Sequence, residues 1–138
     1  MTDINVADNM VNLTIDDKEV QVQKGTLVVD AAKMVGINIP VFCYHPKMDP
    51  VGMCRMCLVD VGRPVRDRDS GEFVLDDSGK PEINWGHGLE TGCTIRVEEG
   101  MVVRASSDEV DKARKDILEL LLTSHPLDCP ICDKGGEC

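Results

Sequence analysis

The chain has 138 residues, a net charge of −10 and only four aromatic side chains, so it can form one modest domain with a thin aliphatic core, or one domain plus a fragment. Small cores of this kind are often supplemented by a metal or a disulfide. The acidity argues against nucleic acid as a partner, because phosphate binding needs a basic surface. No apolar run approaches the ~20 residues of a membrane-spanning helix.

The first ten residues contain two Asp and neither Arg nor Lys. They therefore resemble neither a secretory signal nor an Arg-rich transit peptide. We expect a cytosolic bacterial protein, or one already processed. Thiols stay reduced in that compartment, so clustered cysteines favour metal binding over disulfides.

The first regular elements predict a strand–turn–strand–helix unit. Apolar and polar residues alternate in residues 11–15 and 19–22, as in a β-hairpin. Thr26 is a plausible N-cap for a helix over residues 27–35, and Gly36 follows as a stop signal. This is a ββα start.

A long cysteine-containing loop follows this unit. Residues 42–58 hold Cys43, Cys54 and Cys57 among Gly, Pro, Met and polar residues, a composition unsuited to a helix or a regular strand. Cys54 and Cys57 form a Cys-x2-Cys pair, which can bind one iron or one zinc. We expect an ordered loop whose role is metal binding.

The middle of the chain predicts one strand and a polar excursion. Residues 57–61 form the strand that leaves the cysteine loop. Residues 62–87 are polar, and within them residues 72–75 and 82–85 flank a turn-forming segment, which predicts a second hairpin. We interpret this excursion as a peripheral surface insertion without chemistry of its own.

The last regular elements are a third hairpin and a helix. Residues 94–97 and 101–104 predict the hairpin. Ser106 and Glu109 have the spacing of a capping box, which predicts a helix of about four turns. Its apolar stripe is expected to pack either on the first domain or on sequence outside this chain, and consists of Val110, Ala113, Ile117, Leu120 and Leu121.

Four cysteines form the first candidate metal-binding set: Cys43, Cys54, Cys57 and Cys93. Four thiolates, two for each iron, are what a [2Fe–2S] cluster needs. The first two cysteines have ten residues between them, whereas plant-type ferredoxins have four, but a longer loop can carry a ligand to the same place. Structural zinc and unrelated buried thiols are the alternatives, although zinc modules usually have two short cysteine knuckles.

The second candidate set occupies the end of the chain: His125, Cys129, Cys132 and Cys138. The Cys-x2-Cys pair can occupy two corners of a [4Fe–4S] cluster, and Gly135 with the next glycine allows the tight turn that delivers a third. A Cys3His zinc site is the main competitor. His45 and His87 have no matching cysteines and are expected to be structural or solvated. Seven cysteines and His125 thus divide into two sets of four ligands.

Three segments carry a close resemblance to a known family: FCYHP, GMCRMCLV and HPLDCPICDKGGEC. They resemble the N-terminal region of the large iron–sulfur subunit of respiratory complex I, also named NADH–quinone oxidoreductase chain 3. The resemblance implies an α+β fold, in which a β-grasp [2Fe–2S] ferredoxin-like domain is followed by a helix and a His/Cys [4Fe–4S] lobe. We expect the first domain at residues 1–105, with the insertion at about 62–87, and a truncated second one at residues 106–138.

The resemblance also implies ligands and function. Cys43, Cys54, Cys57 and Cys93 would bind the [2Fe–2S] cluster, and His125, Cys129, Cys132 and Cys138 the [4Fe–4S] cluster. The chain would relay electrons, originating in NADH and arriving through a flavin subunit, towards quinone in a proton-pumping enzyme, without a substrate site of its own.

The expected partners are the other subunits of the peripheral arm, including the flavin subunit that binds NADH. The expected location is the cytoplasmic face of the bacterial inner membrane, without insertion into it. Two other functions stay open: an electron-input module of an NAD-linked hydrogenase or formate dehydrogenase, and a zinc-stabilised interaction module.

Overall fold

A six-stranded mixed sheet and two helices organise the chain in the computed structural model, which describes residues 9–138. The first eight residues, on which part of the targeting prediction depends, lie outside the described residues. The elements in chain order are β1 (Met10–Ile15), β2 (Lys18–Gln23), α1 (Val28–Met34), β3 (Leu58–Pro64), β4 (Ile83–Trp85), β5 (Glu90–Thr91), β6 (Val102–Arg104) and α2 (Asp108–Leu122).

The strands lie in the order β2-β1-β6-β3-β4, and β5 pairs with β3 outside this path. Strands β1 and β6 are parallel, and the other pairs are antiparallel. The core between the sheet and α1 is aliphatic, as the composition predicted. Its most deeply buried side chains include Ile15, Val28, Val59, Val61, Met101 and Val103.

The first hairpin is confirmed. Strands β1 and β2 pair in register from Met10 with Gln23 to Ile15 with Lys18. Asp16 and Asp17 have φ values of 46° and 65°, so they form a two-residue turn whose twist matches the strands. Asp residues tolerate this left-handed conformation better than most.

Helix α1 is confirmed, but its predicted cap is not. Leu27 occupies the N-cap position without a capping side chain. The Thr26 hydroxyl instead donates to the carbonyl of Gln23 at 2.7 Å, closing the turn after β2. Gly36 has a φ of 77° after the helix, as the stop signal predicted. The helix buries Val28, Val29, Ala31 and Ala32.

The second predicted hairpin is confirmed only at its tip: Glu82 N–H donates to the carbonyl of Val74 at 2.8 Å, and Asp76 N–H donates to that of Lys80 at 2.7 Å. Strand β4 pairs with the end of β3, so it forms an edge of the main sheet. A Cβ at Gly62 would contact the side chains of Ile83 and Trp85, so the glycine leaves room for both to cover β3. Residues 72–75 form no continuous strand: Leu75 bridges Pro81 across the turn, and Phe73 bridges Arg66.

The third predicted hairpin is wrong. Strand β6 lies between β1 and β3, where both of its edges are paired. Residues 94–97 form no strand and instead bind the start of α1 and the residues just before it. Val28 N–H donates to the carbonyl of Ile95 at 3.0 Å, and Val97 N–H donates to the carbonyl of Thr26 at 2.8 Å. Residues 94–97 and β6 thus bind segments distant in sequence instead of pairing with each other.

Helix α2 has the predicted length, but its cap is shifted by one residue. The Ser107 hydroxyl accepts from the N–H of Val110 at 3.2 Å, so Ser106 and Glu109 do not form the predicted capping box. Val110 is fully buried, whereas Leu120 is 66% exposed. The first turns of α2 therefore pack on the sheet.

In residues 9–138, no helix is both long enough and apolar enough to traverse a membrane.

Candidate metal centres

The loop between α1 and β3 directs backbone N–H groups at its own sulfur atoms. Gly52 and Arg55 have φ values of 61° and 63°, two left-handed positions that reverse the chain. The N–H groups of Cys43 and Met56 both donate to Cys54 Sγ at 3.4 Å. Such donors stabilise negative charge on sulfur. The loop is thus arranged for thiolates.

Cys43 and Cys54 form the first pair of thiols. The backbone N–H of Cys54 lowers the pKa of the Cys43 thiol, and hydrogen bonds from the Cys54 side chain and from the N–H of Met53 add to this effect. Both cysteines are half-buried. A thiol with a lowered pKa yields the metal-binding thiolate more readily.

Cys57 and Cys93 form the second pair. Pairing of β3 with β5 brings them together, and Gly92 N–H donates to the carbonyl of Cys57 at 2.9 Å. Each is 1% exposed. Burial raises the pKa of Cys93 to about 12, with further contributions from a hydrogen bond with Cys57 and from the charges of Cys57 and Cys43. Metal binding would therefore have to displace this proton.

The loop is fixed over the second pair by close packing. A Cβ on Gly52 would lie 2.8 Å from Thr94 Cγ2 and 3.3 Å from Thr91 Oγ1, so the backbone reaches the segment that holds Cys93 only because residue 52 is a glycine. The Tyr44 hydroxyl donates to the carboxylate of Asp30 on α1, 3.0 Å from each oxygen. The loop is therefore held at two points, Tyr44 and Gly52.

The four cysteines of the first predicted set are brought together as two neighbouring pairs. The charge of Cys43 acts on Cys93 across the pairs, which places them in one electrostatic environment. In residues 9–138, no three His, Cys, Asp or Glu side chains are arranged to hold a single metal ion. Two pairs of thiols match the chemistry of a group containing two metals, each with two sulfur ligands.

The second predicted set lies around a small cavity after α2. The cavity has a volume of about 140 Å³ and is lined by all four predicted ligands: His125, Cys129, Cys132 and Cys138. A short 3₁₀ helix, Cys129–Ile131, turns the chain between the first two cysteines. All three cysteines are exposed.

Gly135 lets the chain fold back at this second site. A Cβ there would lie 2.8 Å from the carbonyl oxygen of Cys129 and 3.0 Å from that of Cys132. Its N–H donates to the carbonyl of Cys132 at 2.9 Å. The glycine therefore allows the tight backbone turn that the sequence predicted.

His45 and His87, the two histidines outside the candidate sets, are exposed.

Sequence reasoning missed two residues near the first site. Tyr44 anchors the loop to α1, and the guanidinium of Arg114 on α2 donates to the carbonyl of Leu58 at 3.3 Å. No local pattern signals either role, because their partners are 14 and 56 residues away.

Two family models match the chain in separate regions. A 2Fe-2S iron–sulfur cluster binding domain matches residues 8–108, and the NADH-ubiquinone oxidoreductase-G iron–sulfur binding region matches residues 114–138. These matches confirm the two predicted cofactors, a [2Fe–2S] and a [4Fe–4S] cluster. The thiol pairs and the glycine-lined cavity fit such groups.

Curated relatives agree with these families. The chain is 44% identical to NADH-quinone oxidoreductase subunit 3 of Thermus thermophilus over 94% of its own length, and 46% identical to the corresponding NADH-quinone oxidoreductase subunit of Mycobacterium bovis over 99%. It spans only 16% and 15% of those two proteins.

The structure resembles an NAD+-reducing [NiFe]-hydrogenase in its H2-reduced state. The TM-score is 0.67 and the identity 26%, covering 93% of this chain and 44% of the hydrogenase chain. The predicted ferredoxin-like α+β fold is thereby confirmed. The chain belongs to the family of 2Fe-2S iron–sulfur cluster binding domains, in the form found in the large iron–sulfur subunit of NADH-quinone oxidoreductases.

Proposed function

We propose that this chain is an electron-transfer part of a proton-pumping NADH:quinone oxidoreductase. It relays electrons from a flavin subunit towards quinone and has no substrate site of its own. The observation that carries this proposal is the presence, on one chain, of two thiol pairs and a separate cavity lined by one imidazole and three thiols. When bound, the clusters supply centres that accept and release single electrons.

The proposed ligands of the [2Fe–2S] cluster are Cys43, Cys54, Cys57 and Cys93. Their pairing supports one iron held by Cys43 and Cys54, and the other held by Cys57 and Cys93. This differs from the expectation that the Cys-x2-Cys pair, Cys54 and Cys57, binds one metal. The buried second pair keeps water from its sulfurs, whereas N–H groups of the loop donate to Cys54. Together, these features hold thiolates in place and limit their contact with solvent.

The proposed ligands of the [4Fe–4S] cluster are His125, Cys129, Cys132 and Cys138. They line one cavity, and Gly135 permits the backbone approach that closes it. A neutral imidazole in place of one thiolate removes a negative charge, which by charge alone raises the reduction potential, as in Rieske centres.

We propose that the first domain ends at residue 105 and the second begins at residue 106, immediately before the residues that lead into α2.

The proposed partners are other subunits of the peripheral arm, including the flavin subunit that binds NADH. Support comes from large apolar side chains exposed beside both sites: Phe42, Met48 and Met53 at the first, and Leu127 and Ile131 at the second. Exposed apolar clusters of this kind are typical of interaction surfaces. The proposed location is peripheral, on the cytoplasmic face of the bacterial inner membrane, as expected for this kind of subunit.

Metal and sulfide analysis of protein prepared without oxygen tests this function. We expect about six iron atoms and about six acid-labile sulfides per chain, from one [2Fe–2S] and one [4Fe–4S] cluster. Reduction with dithionite should give an EPR signal from the [2Fe–2S] centre. Zinc in place of iron, in a colourless protein without an EPR signal, would instead support the zinc-stabilised interaction module.

A second candidate is the electron-input module of an NAD-linked hydrogenase, or of a formate dehydrogenase. The structural similarity to the NAD+-reducing hydrogenase favours the first of these. Isolation of the native assembly separates the candidates. NADH-dependent quinone reduction by a nickel-free assembly supports our proposal, whereas nickel and hydrogen-dependent NAD+ reduction would support the hydrogenase.

A further inference from the structure

Arg114 brings a cation from α2 towards the buried half of the first site. Its Nη2 donates to the carbonyl of Leu58 at 3.3 Å, and Leu58 directly follows Cys57 in the chain. Arg114 and Leu58 are 56 residues apart in sequence, so only the tertiary fold brings the charge to this position.

The surroundings of this guanidinium leave its charge incompletely neutralised. Among the described residues, Nε is buried without a hydrogen-bond partner. Desolvation lowers the pKa of Arg114, whereas the charges of Asp111, Asp16 and Cys57 oppose that shift. Arginine nevertheless stays protonated at neutral pH. A cation in such a position is costly unless negative charge faces it.

The two carboxylates near Arg114 do not supply an ion pair. Among residues 9–138, neither Asp16 nor Asp111 lies within salt-bridge distance of its nitrogens. Asp16 accepts from the N–H of Ala105 at 2.8 Å, and Asp111 is exposed at the start of α2. Cys57, the third group that acts on Arg114, belongs to the site itself.

We propose that Arg114 is a positioning residue that raises the reduction potential of the [2Fe–2S] centre through its charge and its hydrogen bond next to Cys57. This inference rests on the proposed function. Reduction adds one electron, and therefore one negative charge, to a group already made anionic by four thiolates. A fixed cation nearby stabilises this additional charge, and its hydrogen bond to Leu58 holds it in place.

The test is an EPR-monitored redox titration of the cluster-loaded chain with Arg114→Gln. We expect the equilibrium constant for one-electron reduction to fall about tenfold, which lowers the midpoint potential by about 59 mV. Arg114→Lys keeps the charge and should retain most of the wild-type potential. Lys115→Gln is the matched control, because it removes one positive charge from the adjacent, exposed position of the same helix.

The possible outcomes separate this inference from the proposed function. A wild-type chain without a [2Fe–2S] signal contradicts the proposed function itself. An intact signal with equal potentials in wild type, Arg114→Gln and Lys115→Gln overturns only the role of Arg114. If Arg114→Gln does not retain the cluster, Arg114→Met provides a second neutral variant suited to a half-buried position. Loss of the cluster from both neutral variants would assign Arg114 a structural role and also overturn the inference.

Discussion

Single residues at the first site determine whether the cysteine loop holds its shape. Gly52 allows the loop to approach the Thr91–Thr94 segment, and Tyr44 ties it to α1 through Asp30. The requirement for glycine could be predicted, because the residue lies in a turn-rich cysteine loop. The Tyr44–Asp30 bond could not, since tyrosine beside a cysteine has many possible partners and only the packed fold selects one.

Replacing Tyr44 by Phe tests this anchor. The variant loses a hydrogen bond to a carboxylate at a half-buried position, so we expect the free energy of unfolding to fall by about 1 kcal/mol in urea denaturation. The [2Fe–2S] absorption should also decay faster in the presence of an iron chelator. Phe42→Leu, in the same loop but 67% exposed, should change stability by less than about 0.5 kcal/mol. Equal stability of Tyr44→Phe and wild type would show that the loop does not depend on this bond.

The stabilisation that the Tyr44–Asp30 hydrogen bond provides should be lost at alkaline pH. Burial first, and then Asp30, raise the pKa of Tyr44 above its usual 10.0. Its stabilising contribution is therefore fully present below pH 10 and is lost as the pH rises through the folded-state pKa. The difference in unfolding free energy between wild type and Tyr44→Phe should shrink over that range. If the difference stays constant over that range, the stabilisation does not come from the hydrogen bond that the Tyr44 hydroxyl donates to Asp30.

At the scale of elements, prediction succeeded where the pairing partners were close in sequence. The β1–β2 hairpin has an alternating pattern and a two-residue Asp turn, so both strands and the turn agree locally. Residues 94–97 alternate in the same way but pair with the start of α1, and β6 pairs with β1 and β3 instead. Alternation cannot identify a distant partner, which is why the third predicted hairpin failed and the second formed only at its tip.

The tight turn at Gly135 in the second site can be tested by adding a single methyl group. In Gly135→Ala the new Cβ would meet two backbone carbonyls, which cannot move away as a flexible side chain could. We expect iron to fall from about six to about two atoms per chain, with the [2Fe–2S] EPR signal intact. Gly86→Ala is the control, because a Cβ there contacts nothing within 4 Å. Full iron content in Gly135→Ala would contradict the proposed role of this turn.

On the scale of the whole molecule, the two candidate centres differ in how far they depend on the fold. Cys57 and Cys93 belong to the hydrophobic core of the sheet, whereas the cysteines of the second site are exposed beyond α2. The spacing of the cysteines was enough to predict both candidate sets, because each contains a Cys-x2-Cys pair, although Cys93 lies far from the pair in the first set. It could not show this difference in burial, which results from the pairing of β3 with β5.

This difference predicts that the two centres can be lost separately and with unequal effects on stability. His125→Ala should disturb only the [4Fe–4S] spectrum and leave the thermal unfolding of the sheet nearly unchanged, because its segment is exposed. Cys54→Ser should abolish the [2Fe–2S] signal and lower the unfolding temperature, because metal binding and folding are linked in a thin-cored domain. Parallel EPR and calorimetry on the two variants measure both effects. If His125→Ala also removed the [2Fe–2S] signal, the second site would have to support the first, although the described contacts place Cys57 and Cys93 within the sheet's own core.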